Sequence, residues 1–389
     1  MRVTHLSLTD FRNYESVDLD LSEGPNLFVG SNGQGKTNLV EALGFLSTLA
    51  SHRVANDQAL IRSGQDAAII RARLANGEKS VLAEVQINRT GANRAQINRA
   101  AIKTRELPRY FSSVLFAPED LALVRGDPGG RRRFLDELLV LRTPRMAAVL
   151  GDYDRVLRQR NSLLKSARAS GARGQLTTLD IWDERLVTLG TEIIEARSAL
   201  IDELAPEVDA AYLAIAGREH AASLAPRLSI LSSSTDDTDL DTETAPARDR
   251  LTADETTAAF NAALERVRRS ELERGLTLIG PHRDDLVLTL NGLPARGYAS
   301  HGESWSFALS LKLAATAVLR RESASGDPVL ILDDVFAELD ESRRDRLADA
   351  VHDFEQVLIT AAVGNDVPPA LAGNSVRIRG GRIIGNNDD

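Results

Sequence analysis

The chain has 389 residues and carries 47 basic and 56 acidic side chains, a formal charge of −9. At roughly 150 residues per domain this length predicts two or three domains. The 43% apolar content suffices for a sizeable core, and the net charge excludes a polycation that coats nucleic acid or membrane over its whole surface. With no cysteine there are no disulfides, zinc–thiolate sites, thiol nucleophiles or iron–sulfur clusters, and a reducing compartment is expected. The segment Met1-Arg-Val-Thr-His-Leu-Ser-Leu-Thr-Asp10 has no continuous apolar core, and no stretch of about 18 apolar residues occurs, so neither secretion nor membrane spanning is expected.

Leu6-Ser-Leu8 and Val17-Asp-Leu-Asp-Leu21 alternate with period two, and Asn26-Leu-Phe-Val29 is an apolar run ending in glycine, which together predict three strands. Residues 37–50 follow as a helix. Strands are predicted from Ala68 to Leu74 and from Val81 to Ile87, joined by the turn residues Asn76-Gly77, with another from Arg94 to Asn98; these form an antiparallel ribbon beside a phosphate-binding unit. Val114-Leu-Phe116 predicts a buried strand that Ala117-Pro118 ends. Composition changes after Gly126-Asp-Pro-Gly-Gly130: from Arg125 to Arg173 twelve basic residues stand against five acidic ones, a local charge of +7 where the rest of the chain carries −16. Residues 131–165 and 179–216 have helix-spaced apolar positions and predict a helical arm, with Gly171-Ala-Arg-Gly174 as its turn. The acidic, apolar-poor stretch from Ser232 to Thr244 predicts a mobile loop. Residues 252–274 resume a helix, and strand character returns from Leu276 to Leu290. Beyond it come helix 304–321, strand 329–332, helix 341–352, strand 356–360 and a hairpin from Val376-Arg-Ile-Arg379 through Gly380-Gly381 to Arg382-Ile-Ile384. That alternation predicts a largely parallel sheet.

Gly30-Ser-Asn-Gly-Gln-Gly35-Lys36-Thr37 follows an apolar strand and opens a helix, the context in which a phosphate-binding loop works. Glycines let successive N–H groups of Gly30, Ser31, Asn32, Gly33, Gln34 and Gly35 curl around one anion, and the helix N-terminus adds its dipole. Lys36 reaches the β- and γ-phosphates and Thr37 can ligate Mg²⁺. The chain has only five lysines, so one at this position is hard to ascribe to accident. Val329-Leu-Ile-Leu-Asp333-Asp334 supplies the second half. Its apolar residues predict a strand buried on both faces, ending in a carboxylate aimed at the same crevice. Asp333 would hold Mg²⁺, and Asp334 would orient or deprotonate an attacking water. Almost 300 residues separate Lys36 from Asp333, so something is inserted into the ATPase, against a small kinase or GTPase. Ser300-His301-Gly302-Glu303-Ser304 directly precedes another helix. It offers N–H groups to an anion in a head-to-tail pair of subunits, and it also reads as an ordinary N-cap.

Four stretches carry a resemblance: Leu8-Thr-Asp-Phe-Arg-Asn-Tyr14; Val29 to Ala42 around the loop; Phe116-Ala-Pro-Glu-Asp-Leu121 with Gly126 to Asp136; and Leu278-Ile-Gly-Pro-His-Arg-Asp-Asp-Leu286. They are similar to ATP-binding-cassette heads with an inserted arm, related to SMC proteins, and to the RecF family of bacterial recombination mediators. The resemblance implies an α/β fold: a head of mixed sheet with P-loop and antiparallel ribbon, split into residues 1–122 and 273–389 around a mostly helical arm at 123–272. It further implies a cytoplasmic, nucleoid-associated DNA-binding ATPase that dimerises with ATP and Mg²⁺ on double-stranded and gapped DNA, with single-stranded DNA also bound. Slow hydrolysis would release the DNA. RecR and RecO would be its partners in loading RecA, in recombinational and replication-gap repair and the SOS response. By position, Arg12, Asn13 and Asn38 would lie at the nucleotide, Ser300, Gly302 and Glu303 would form the signature-like loop, and His282 and Arg283 would contact nucleotide or dimer partner. Glu119 occupies the region of a γ-phosphate-sensing glutamine. Two departures stand out: a carboxylate, Glu303, where such chains commonly have glutamine, which would turn away or pair with a neighbour such as Arg296, and Thr360 where many heads have a histidine.

The basic arm offers Arg131, Arg132, Arg133, Arg142 and Arg145 to DNA phosphates, with a solvated helix face as the competing reading. Basic and aromatic residues do not interleave, so single strands should not be gripped by base stacking. An SMC-like clamp would need a long heptad arm, which prolines 144 and 206 interrupt. A transporter subunit would depend on a membrane partner, and a metabolic kinase on a small acceptor.

Overall fold

The computed structural model describes residues 1–170, 177–217, 220–232, 250–322 and 326–384. The predicted turn at 171–174 and the acidic stretch beyond Ser232 lie outside them. Two compact units emerge: a head of Met1–Leu121, Ala211–Glu219 and Ala308–Asp389, and an arm of Ala122–Ala210 and His220–Phe307. The chain begins with β1 (Arg2–Phe11), β2 (Tyr14–Asp20), β3 (Gly24–Val29), α1 (Lys36–Thr48), β4 (Ala67–Asn76), β5 (Lys79–Asn88), β6 (Arg94–Ile97), β7 (Ala100–Ile102) and β8 (Ser113–Phe116). It continues through α2 (Leu121–Arg125), α3 (Pro128–Arg142), α4 (Met146–Ser170), α5 (Thr177–Ala216), β9 (Ala222–Arg227), α6 (Ala253–Arg274), β10 (Asp285–Leu290), β11 (Leu293–Pro294) and the kinked turn α7 (Ala295–Tyr298). Last come α8 (His301–Glu322), β12 (Val329–Asp333), α9 (Glu341–Val351), β13 (Gln356–Ala361), β14 (Asn374–Arg379) and β15 (Arg382–Ile384).

The head holds two six-stranded sheets. One runs β15-β14-β3-β13-β12-β8. In it β3, β13, β12, β8 and β14 are parallel and only β15 is reversed. Every residue of β12 and β13 is buried, because a central parallel strand is covered on both faces. The other sheet, β2-β1-β4-β5-β6-β7, is antiparallel and one-sided. Its inner face alternates along β4 as Ala68, Ile70, Ala72 and Leu74, all buried. On β1 the alternation slips between Val3 and Leu6, where a register shift lets both point inward. Leu39, Val40, Leu43 and Leu46 of α1 join the same core as Leu6, Leu8 and Phe28. Burial of these apolar faces fixes the helix whose first residue is Lys36.

In the arm, the expected helix 131–165 is two, α3 and α4. Pro144 disfavours helical geometry at the residue before it, and Thr143 is non-helical (φ −131°, ψ 86°). Pro206, expected to interrupt the arm, instead lies inside a continuous α5. Strand character was expected from Leu276, yet β10 starts at Asp285, because Gly280 takes φ 121° and Pro281 follows it. Residues 277–284 instead fill the centre of the arm. Arg160, fully buried, donates to Asp183 (2.6 Å), Glu271 (2.6 Å) and Thr277 (2.9 Å), tying α4, α5 and α6 to this segment. A buried guanidinium survives desolvation only when its donors are met in this way.

Candidate nucleotide site

The loop between β3 and α1 is shaped by contacts that only glycine permits at two points. A Cβ on Gly30 would sit 2.3 Å from the carbonyl oxygen of Ile378, and Gly35 takes φ 116° against the side chains of Tyr14 and Asn13. The β14–β15 turn braces the loop: Gly380 N–H donates to Gln34 Oε1 (2.6 Å) and Gly381 N–H to the Gln34 carbonyl (2.9 Å). Asn13 Nδ2 donates to that same carbonyl at 3.2 Å, while Asn13 Oδ1 accepts from Asn38 at 2.7 Å. Lys36, 4% exposed, spans the loop and donates to the Gly30 carbonyl at 2.6 Å. Ser31 O and Asn32 Oδ1 lie 3.4 Å from the same ammonium.

The end of β12 meets this loop. Thr37 Oγ1 donates to Asp333 Oδ1 at 2.9 Å, and Thr360 Oγ1, from β13, donates to the same oxygen at 2.6 Å. Asp334 takes φ 56°, a left-handed conformation that asparagine and aspartate tolerate best, and Thr360 Oγ1 accepts from its N–H at 2.9 Å. Its Oδ1 is buried with no hydrogen-bond partner among the described residues. Burial raises the Asp334 carboxyl above its ordinary value, against the pull of Lys36, and Asp333 raises it further. Burial likewise lowers the Lys36 ammonium, while Asp334 and Asp333 oppose the shift. An anion beside Lys36 would offset the burial of its ammonium.

Among the described residues no group of three His, Cys, Asp or Glu forms a metal cage. One carboxylate, one hydroxyl and nucleotide phosphates are instead the donor set Mg²⁺ takes, so Asp333 and Thr37 fit a cation that arrives with a nucleotide. The unpartnered, buried Asp334 Oδ1 beside them fits a donor such as water as neighbour.

The site therefore gathers Asn13, Gly30, Ser31, Asn32, Gly33, Gln34, Gly35, Lys36, Thr37, Asn38, Asp333 and Asp334. Arg12 is turned elsewhere: its guanidinium donates twice to Glu41 of α1 (2.9 and 2.6 Å) and once to the Ala59 carbonyl (3.1 Å). Sequence reasoning missed His52, whose Nε2 lies 3.8 Å from Asp333 Oδ2. No motif signals it, because it reaches Asp333 from the loop after α1. Glu119 is exposed.

Ser300, Gly302 and Glu303 form a separate cluster in the arm, at the start of α8. Ser300 N–H donates to Glu303 Oε2 (2.7 Å) and Glu303 N–H to Ser300 Oγ (3.3 Å), a reciprocal cap on α8. Glu303 also lies 3.8 Å from His220 Nε2. His282 is committed within the arm, its Nδ1 to the Tyr153 hydroxyl at 2.8 Å.

The five arm arginines do not make one open face. Arg131 is buried, bidentate on Asp285 (2.7 and 2.9 Å) and bonded to the Leu123 and Gly126 carbonyls, so its donors are spent internally. Its assignment to DNA is corrected on that ground. Arg132 donates to the Asp284 carbonyl (2.7 Å), Arg142 pairs with Glu203 (3.0 Å) and Arg145 with Glu192. Arg133 is exposed. Open positive charge lies instead on β6, the β6–β7 turn and the segment after β7. There Arg94, Arg99, Lys103, Arg105 and Arg109 are exposed and make no ion pair among the described residues.

Among the described residues no helix is long and apolar enough to cross a membrane. The RecF/RecN/SMC N terminal domain family matches residues 2–370. The DNA replication and repair protein RecF of Clavibacter sepedonicus is 66% identical over 99% of this chain and 95% of its own length. That of Leifsonia xyli subsp. xyli is 62% identical over 99% of both chains. Among solved structures, the recombination mediator protein RecF with ATP, of the RecFOR pathway, matches with a TM-score of 0.85 at 27% identity, covering 98% of this chain and 96% of the other. An Smc head bound to the winged-helix domain of ScpA shares the fold, with a TM-score of 0.54 at 14% identity, covering 99% of this chain and 97% of the other. With this P-loop head, this arm and these relatives, the chain belongs to the RecF family.

Proposed function

We propose that the protein is an ATP-gated DNA-binding switch of recombinational and replication-gap repair. The observation that carries this reading is the Thr37–Asp333 hydrogen bond beside buried Lys36, a phosphate-and-cation arrangement assembled from residues 296 positions apart. With ATP in the loop, Thr37 and Asp333 would hold Mg²⁺, which would draw charge from the phosphates. Lys36 neutralises the phosphates. Asp334, its proton affinity raised by burial, orients and deprotonates the attacking water. The Ser300 loop of a second copy closes on the γ-phosphate, so that ATP makes a dimer and slow hydrolysis reopens it.

Duplex and gapped DNA are held through phosphates, without sequence preference, and single-stranded DNA more weakly. The exposed Arg94, Arg99, Lys103, Arg105 and Arg109 supply contacts that the ion-paired arm arginines do not. The ATP-bound relative belongs to a RecFOR pathway, which supports RecR and RecO as partners in loading RecA, in the cytoplasm at the nucleoid and within the SOS response.

Light scattering tests the switch. The wild-type protein should double in mass with ATP and Mg²⁺. Lys36→Ala, with its weakened hold on ATP, should stay monomeric at ATP concentrations that dimerise the wild type, and Ser300→Arg should bind ATP yet stay monomeric. Normal dimerisation by Ser300→Arg would overturn the closure in trans.

A further inference from the structure

We propose that His52 is a positioning residue for the divalent cation, holding the Asp333 carboxylate in the plane from which it shares that cation with nucleotide phosphates. The inference rests on the ATP reading above and assigns a role to a residue outside the loop and strand motifs.

The segment after α1 is pinned on both sides of His52. Ser51 Oγ donates to Glu41 Oε1 at 2.5 Å and accepts from the N–H groups of Arg53 (3.0 Å) and Val54 (3.2 Å). Arg53 Nη1 donates to Asn38 Oδ1 at 3.0 Å. Glu41 is itself clamped by Arg12. His52 is thus delivered to Asp333 by a short loop anchored on the helix that carries Lys36 and Thr37.

What it meets there is lopsided. Asp333 Oδ1 accepts from both Thr37 and Thr360, whereas Oδ2 faces His52 Nε2 across 3.8 Å. That separation is too long for a hydrogen bond. His52 Nε2 is nonetheless buried and has no hydrogen-bond partner among the described residues. A buried ring nitrogen left unmet is unfavourable. Groups so placed find their partner when the site fills, and a small rotation of either side chain brings an Nε2–H onto Oδ2. Two hydroxyls on one oxygen leave the carboxylate free to rock about them. A donor on the other oxygen stops that motion, and carboxylates that ligate metals are held in this way.

The test is calorimetric titration of ADP into the wild-type protein, His52→Leu and His52→Gln, in EDTA and in Mg²⁺, with Mn²⁺ spectra of the nucleotide complex as a second readout. Leucine keeps most of the volume without a donor; glutamine restores one. His52→Leu should keep the affinity seen in EDTA and lose at least about tenfold of the gain that metal brings, with a changed Mn²⁺ signal, and His52→Gln should recover most of it. Two results would overturn the inference: an undiminished metal-dependent gain in His52→Leu, or an equal loss with and without metal, which would mark a packing role. No ADP binding by the wild-type protein in either condition would instead sink the nucleotide reading, and the inference with it.

Discussion

Thr37 and Asp333 stand 296 residues apart in the chain and share a hydrogen bond of 2.9 Å, which joins the start of α1 to the end of β12. Three parallel strands make the join rigid: β3 leads into the phosphate loop, β13 lies beside it, and β12 follows. The chemistry at this junction therefore depends on tertiary packing as much as on the loop itself.

Replacing Lys36 by alanine removes the buried ammonium that faces the phosphate position. A hydrogen bond to a charged group is worth about 1.5–3 kcal/mol, so nucleotide affinity should fall roughly ten- to hundredfold. Titration with a fluorescent ATP analogue checks this, and an unchanged affinity would move the nucleotide elsewhere.

Two buried groups of the arm titrate in opposite senses. Burial lowers His282 to about 3, so the unfolded chain takes up a proton there first and stability falls as pH drops from its ordinary 6.5. Burial raises Asp284 to about 6 from 3.8, so its contribution is greatest below 3.8 and is lost as pH rises through 6. Between these values the two slopes offset. Asp284→Asn leaves only the His282 slope, and stability should then fall by an extra ~1.4 kcal/mol per pH unit on acidification from 6 towards 4. Denaturant melts at several pH values decide it; parallel wild-type and variant curves would contradict the assignment.

Arg131 and the exposed arginines of β6 and the β6–β7 turn should separate stability from binding. Arg131→Ala leaves Asp285 buried without its partner and should cost about 3–5 kcal/mol of stability, with the salt dependence of DNA binding unchanged. Arg94→Ala with Arg99→Ala should leave the melt within about 0.5 kcal/mol of wild type and flatten the salt dependence of binding by about one unit of slope for each phosphate no longer neutralised. Circular dichroism and anisotropy at several salt concentrations measure both.

Glu303 caps α8 with a full negative charge at the position expected to approach the γ-phosphate. Glu303→Gln keeps an acceptor for Ser300 N–H and removes the charge, so ATP-driven dimerisation should tighten by roughly fivefold or more. Glu303→Ala breaks the cap as well and should cost about 1 kcal/mol of stability. A dimer unaffected by Glu303→Gln in sedimentation runs would place this carboxylate away from the phosphate.

Most of the head was legible in the sequence because its signals are local. Period two gave β1, β2, β4 and β5, unbroken apolar runs gave β12 and β13, and the glycine pattern gave the loop before α1. What was missed depends on distant partners. β9 has weak alternation and forms as the partner of β10, and β7 is three residues long. The pairing of Arg131 with Asp285 spans 154 positions, so a cluster of arginines read as an open basic face until its acidic partners were placed. His52 went unseen for the same reason, being brought to Asp333 only by the fold. The cap at Ser300 and Glu303, three residues apart, was one of two readings that the local pattern itself offered.

The central claim is that nucleotide at Lys36, Thr37 and Asp333 controls the grip on DNA. Fluorescence anisotropy of a gapped duplex, with and without ATP and Mg²⁺, tests it most directly, with Lys36→Ala as control. Tighter binding with ATP in the wild-type protein, lost in Lys36→Ala, is the predicted result. Binding of equal strength with and without ATP would contradict the account.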